Sequence, residues 1–177
     1  MADPIRQAFV NSIEGDGAYV SPMTSIESVT SVQARKRVKR GLATIWEQLS
    51  HMVFWQDVML TRMRGQVPPP VPHDADGWPK MPAAKGQDEA WAGLVAHFAA
   101  GLKEAEKIAK RAKLGDKMGP KTKRTFANQI MHLSIHNAYH AGQIVSLRRI
   151  IGNWPPPSGG RGMVPTSICC HKKFRAT

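Results

Sequence analysis

Residues 65–82 read GQVPPPVPHDADGWPKMP, and neither a helix nor a central strand can run through them. Proline supplies no amide donor and fixes φ, so the stretch is predicted to be a long crossover between two regular elements, with Trp78 as its anchor. On both sides of it the periodicity is helical. From residue 42 to 64, Leu42, Ile45, Trp46, Leu49, Met52, Val53, Met59, Leu60 and Met63 recur at spacings of three and four, which predicts a long amphipathic helix stopped by Gly65. A further helix is predicted over 88–113, with Trp91, Leu94, Val95, Phe98, Leu102, Ala105, Ile108 and Ala112 as its buried stripe and Gly115 and Gly119-Pro120 turning the chain.

The last helix is predicted over 121–151, with Phe126, Ile130, Leu133, Ala141, Ile144, Leu147 and Ile151 inward, before Gly152 and prolines 155–157 break it. The first covers 4–14, with Ile5, Phe9, Ser12 and Ile13 on one side and Gly15 and Gly17 ending it. Between the first two, Thr24-x-x-Glu27 and Thr30-x-x-Gln33 have the form of capping boxes and predict short helical turns. No stretch alternates as a strand does. The expected fold class is therefore all-α: an antiparallel four-helix bundle with a long proline-rich crossover between its second and third helices. The expected domain spans residues 1–162, followed by a flexible tail over 163–177.

With 177 residues the chain suits one domain with a proper core. No apolar run approaches the ~18 residues that cross a bilayer, and no basic stretch followed by an apolar one opens the chain, so a cytoplasmic location is expected. Cys169 and Cys170 are adjacent, so they cannot form a framework of disulfides across the fold, which fits a reducing compartment. Together with His171 they could also ligate a soft metal; the plainer reading is an unstructured terminus. The formal net charge of +12 raises the question of polyanions.

His136 and His140 stand within HNAYHAGQI, four residues apart on a helix. That spacing turns side chains by about 40° and separates them by roughly 6 Å along the axis, so the two rings project together. They share the face of Leu133, Ile144 and Leu147, the side predicted to face the bundle. Two imidazoles aimed at an interior cannot both be charged cheaply, whereas a divalent metal takes a lone pair from each. The same spacing also arises by chance on helices, so a third donor decides. His51, midway along the second helix in TIWEQLSHMVFWQD, is the best placed. Three histidines without a fourth protein ligand leave a coordination position open, the pattern of a catalytic metal site. His132 lies further round the last helix, where a rim position is expected; His97 and His73 are expected in solvent.

The stretch 44–57, the GWP of 77–79, the DEAW of 88–91 and HNAYHAGQIVSLRRIIGNWPPPSGG over 136–160 together resemble the DinB-like superfamily of bacterial four-helix-bundle metal proteins. That family is related to the YfiT-type hydrolases and to bacillithiol- or mycothiol-dependent transferases, and is distinct from the DNA polymerase that shares the DinB name. The likeness runs from about residue 5 to 160. It implies that one histidine of the second helix and two of the last hold a divalent ion, and His51, His136 and His140 match those positions. Zinc and nickel both suit imidazole. The resemblance also implies a homodimer and a small-molecule substrate such as a low-molecular-weight thiol. The basic composition, the tract ARKRVKR at 34–40 and the residues beyond Gly162 depart from the family pattern.

In such a site the ion acts as a Lewis acid, lowering the pKa of a water or thiol for hydrolysis or S-transfer. Glu47, Asn137 and Gln143 are the polar residues that helical spacing places to orient the rings, although Glu47 also suits a first-turn carboxylate and Gln143 a solvent position. Trp55 and Tyr139 are candidates to line a pocket or to join the core. Two further classes compete: a metal-holding bundle without catalysis, serving stress or interaction roles, and non-specific nucleic-acid binding. The latter would use Arg35, Lys36, Arg37, Lys39 and Arg40, and the lysines and arginines between 103 and 124. No aromatic residues interleave with those runs, so base stacking is not expected.

Overall fold

The computed structural model describes residues 3–15, 19–119 and 122–160, and apart from one isolated bridge between Lys117 and Thr125 every regular element among them is helical. The tail from residue 163, with Cys169, Cys170 and His171, lies outside the described residues, as do Gly17, Pro120 and Lys121. Four long helices form the bundle: α1 (Pro4–Glu14), α4 (Ile45–Met63), α5 (Gln87–Arg111) and α6 (Phe126–Ile150). Two short helices, α2 (Pro22–Ile26) and α3 (Ser31–Arg35), join α1 to α4. No helix among the described residues is long and apolar enough to cross a membrane.

Cap chemistry fixes where the helices begin, and it moves three of the predicted boundaries. Periodicity starts α4 at residue 42, but the Thr44 hydroxyl accepts the Glu47 amide while the Glu47 carboxylate accepts the Thr44 amide. This capping box starts the helix at Ile45 and leaves Leu42 exposed. Thr125 and Asn128 make the equivalent box at the start of α6, so the helix begins at Phe126 and not at 121. The Thr30–Gln33 box is present at α3, whereas Thr24 and Glu27 do not form one. Pro22 starts α2 earlier, Glu27 falls at its C-terminal end, and the Glu27 carboxylate accepts from the Ser158 amide and hydroxyl.

Side-chain partners give the helix directions. Gln48 meets Gln143 and His51 meets His136, so α4 and α6 are antiparallel. Trp46 packs on Trp91 with ring centroids 5.2 Å apart, and Arg64 pairs with Glu104, so α4 and α5 run parallel. Parallel neighbours need a chain that returns along the whole bundle. Residues 66–86 supply it, with one 3-10 turn at Asp74–Gly77.

One face of α1 differs from its predicted stripe. Ile5 is exposed, and Val10 and Ile13 are the residues buried. The reason lies beside it: the Arg6 guanidinium donates to the Ala109 and Ala112 carbonyls at 2.7 and 2.8 Å, satisfying the end of α5 and holding the first turn of α1 at the rim. Gly15 then closes α1 at φ 84°, and a Cβ there would meet the Ser21 backbone at 2.9 Å.

The core divides into two clusters along the bundle. One gathers Ile45, Trp46, Leu49, Met52, Trp91, Phe98, Ile144 and Leu147; the other gathers Val10, Ile13, Met59, Leu60, Ala105, Ile130 and Leu133. On α6 the span between Leu133 and Ile144 belongs to neither cluster, and it carries His136 and His140.

Candidate metal centre

His51 on α4 and His136 and His140 on α6 come together between the two core clusters, and one ring nitrogen from each lies within 4.8 Å of those of the other two. His51 and His140 are buried and His136 is half-buried. Ring centroids are 5.1 Å apart for His51 and His136, 4.6 Å for His51 and His140, and 4.5 Å for His136 and His140.

The hydrogen bonds around the trio choose which nitrogens remain free. His51 Nδ1 donates to the Gly77 carbonyl at 2.6 Å, and His140 Nδ1 donates to Gln48 Oε1 at 2.6 Å. Each commitment fixes the tautomer with the proton on Nδ1 and leaves Nε2 with its lone pair. The Nε2 atoms of His51 and His136 face each other at 3.2 Å. Nitrogens about 2.0–2.1 Å from a tetrahedral ion stand about 3.3 Å from one another, so that spacing is already the edge of a coordination tetrahedron. The residues fit a divalent ion.

A family model described as the DinB superfamily matches residues 23–144, more than half of the chain and a span holding all three histidines. The chain belongs to the DinB superfamily. No curated protein and no solved structure matches it significantly.

In this DinB-superfamily chain all three imidazoles are kept neutral. Burial lowers the pKa of His140 to about 3, helped by the charges His136 and His51 would carry. Burial lowers His136 to about 4, with the charges of His51 and His132 adding to it. Burial also lowers His51, partly offset by its bond to Gly77. Protons therefore do not compete for these lone pairs near neutral pH.

The crossover builds one wall of the site. Trp78 stacks on the His51 ring at 3.9 Å between centroids, and Gly77 supplies the carbonyl that orients it. Only glycine fits at 77, because a Cβ would stand 2.8 Å from Nε1 of the rigid Trp55 indole. Gly77→Ala is expected to push that carbonyl off His51 and to weaken zinc binding by roughly 10–100-fold. Competition against a chromophoric chelator measures this, and unchanged affinity would show that the carbonyl does not orient the ring.

Of the polar residues that helical spacing nominated around the rings, only Asn137 acts on one directly, its side chain opposing the fall in the His136 pKa. Glu47 is spent on the Thr44 cap and on Arg37, its carboxyl held below the usual range against a desolvation that pushes it up. Asn137 is buried beside His136, and its amide atoms fall short of full hydrogen-bond geometry to any partner among the described residues. Gln143 stands one step out: its Oε1 accepts from Gln48 Nε2 at 2.5 Å, and Gln48 in turn holds His140. Sequence reasoning missed Gln48. Its signal was present, since Gln48 precedes His51 by three residues and shares its helix face.

The remaining histidines stay outside the trio. His132 is exposed and accepts from Arg124 Nη1 at 2.9 Å, and exposed His97 pairs with Asp57. His73 is exposed at the start of the 3-10 turn. Within the basic tract, Arg35 donates to the Pro82 carbonyl and lies 5.5 Å over the Trp46 ring, so it pins the crossover to α4.

Proposed function

We propose that this chain is a metal-dependent S-transferase in which Nε2 of His51, His136 and His140 hold a divalent ion, zinc or nickel, and a thiol substrate occupies the open position. The convergence of one ring nitrogen from each of three histidines, two of them with their Nδ1 protons already donated elsewhere, carries the reading. When bound, the ion supplies Lewis acidity that brings a thiol or water towards its anion near neutral pH.

The chain's own groups favour thiol over water. A hydrolase of this kind uses a carboxylate or a free imidazole to relay the proton of water. Among the described residues no carboxylate perturbs any of the three rings, and His132, whose charge would act on His136, is exposed and held by Arg124. A thiol needs no such base, because it ionises readily once a cation is beside it. Gln48 and the Gly77 carbonyl hold the rings in place, and Trp78 shields His51 from water.

Cobalt(II) reports the open position directly. Cobalt-loaded protein is expected to gain a sulfur-to-cobalt charge-transfer absorption on addition of a low-molecular-weight thiol, and to turn over thiol with an alkylating electrophile. A cobalt spectrum that no thiol alters would make the site a closed structural one, and the bundle a metal holder without catalysis.

A further inference from the structure

Beside the histidines a cleft of about 720 Å³ opens along α6, and its walls are part of the site: Gln48 is the residue that holds His140, and Trp78 is the one stacked on His51. That volume falls within the range of small-molecule pockets. In a chain of net charge +12, none of the residues lining the cleft is charged.

Its polar groups are also largely occupied. Gln48 accepts from His140 and donates to Gln143, and the Ser146 hydroxyl donates back to the Gly142 carbonyl at 3.0 Å. What remains on offer is apolar. Leu42 at 45% exposure, Trp78 at 38%, Tyr139 at 65% and Ile150 at 65% all line this one cleft, out of nine exposed large hydrophobic residues among those described. Such clustering marks a binding surface, whereas scattered exposure does not.

Gly142 adds an independent sign. Glycine inside a helix costs roughly 1 kcal/mol relative to alanine, yet a Cβ at 142 would meet nothing within 4 Å. Packing does not require glycine there. Its missing side chain leaves the floor of the cleft open.

We propose that this cleft receives an uncharged apolar group of the small-molecule substrate, aryl in shape and lying against Trp78, while the reacting atom reaches the histidine centre. The inference rests on the metal-site reading for its catalytic meaning, but binding in the cleft is measurable without metal. The probe is the neutral dye N-phenyl-1-naphthylamine, displaced in turn by neutral 2-naphthol and by anionic 2-naphthoate, on metal-free wild type, Gly142→Phe and Ser146→Phe. Zinc affinity and melting temperature of each protein are recorded alongside.

Wild type is expected to bind the dye and to prefer 2-naphthol over 2-naphthoate by roughly tenfold, and either phenylalanine is expected to weaken dye binding by roughly tenfold or more. Zinc affinity should not change. A folded variant that binds the dye as wild type does, or a wild type preferring 2-naphthoate, would overturn the proposal. So would a wild type that sediments as a dimer and variants that sediment as monomers with the dye still bound, since the cleft would then face a second copy of the chain. Wild type that binds dye but no zinc would overturn the metal reading and leave the cleft assignment standing.

Discussion

Alanine at His51, His136 or His140 is expected to empty the metal centre. Loss of an outer hydrogen bond to a metal ligand costs roughly 10–100-fold in affinity, and loss of the donor itself should exceed that in each single variant. Elemental analysis of protein purified without added metal should show the ion in wild type and little in all three. His132→Ala and His97→Ala, whose rings lie outside the trio, should retain it. The folds should survive, because two of the three rings are buried polar groups that contribute little packing to either core cluster. Stability supplies a second readout. Zinc at 100 times its dissociation constant should stabilise wild type by about 2.7 kcal/mol, or roughly 5–10 °C for a chain of this size. The alanine variants should show almost none of that shift. Equal metal content in wild type and the three variants would remove the basis for any metal-dependent activity.

The histidine trio was legible from sequence because a helix turns spacing into direction: His136 and His140 lie four apart on an apolar face, and His51 lies midway on a facing helix. What spacing could not carry were groups from chain far away in sequence. The Gly77 carbonyl and the Trp78 stack come from the crossover, 26 residues or more beyond His51, where proline announces only that the chain is irregular. Boundaries failed for a related reason. Apolar spacing continues through Leu42, but the helix begins where Thr44 and Glu47 satisfy the free amides. The same box explains Glu47 itself, whose carboxylate is committed to the cap and to Arg37 and so is not available to His51, one turn further along α4. Ile5 misled because periodicity reports that a face is apolar, and the Arg6 bonds to the end of α5 decide which part of that face reaches the core.

The largest effect on folding is expected at Arg148, a residue the apolar stripe of α6 passes over. Its side chain is fully buried among residues of the first core cluster's end of the bundle, and Nη1 donates to the Ser25 carbonyl at 2.9 Å and to the Thr24 carbonyl at 3.3 Å. Nε donates to the Asn153 carbonyl at 2.8 Å, Nη2 to Asn153 Oδ1 at 3.2 Å, and the guanidinium carbon stands 5.2 Å over the Trp154 ring. Burial lowers its pKa, the charge of Glu27 opposes that, and guanidinium remains charged throughout. One planar cation therefore satisfies acceptors from α2 and from the chain after α6, two segments that make no regular hydrogen-bonded element together. Arg148→Met keeps length and volume but strands those acceptors away from water, at an expected cost of about 3–5 kcal/mol. Arg148→Lys keeps the charge without the fork, so it should fall between the two proteins. Thermal melting should rank them wild type, Lys, Met, with the Met variant lower by roughly 10 °C, while zinc affinity per folded molecule stays constant because His140 and His136 sit about two and three turns back along α6 and His51 lies on α4. A methionine variant within 1 kcal/mol of wild type, as an order of magnitude for an exposed substitution, would mean that water replaces the guanidinium and that α2 is held by its apolar contacts alone.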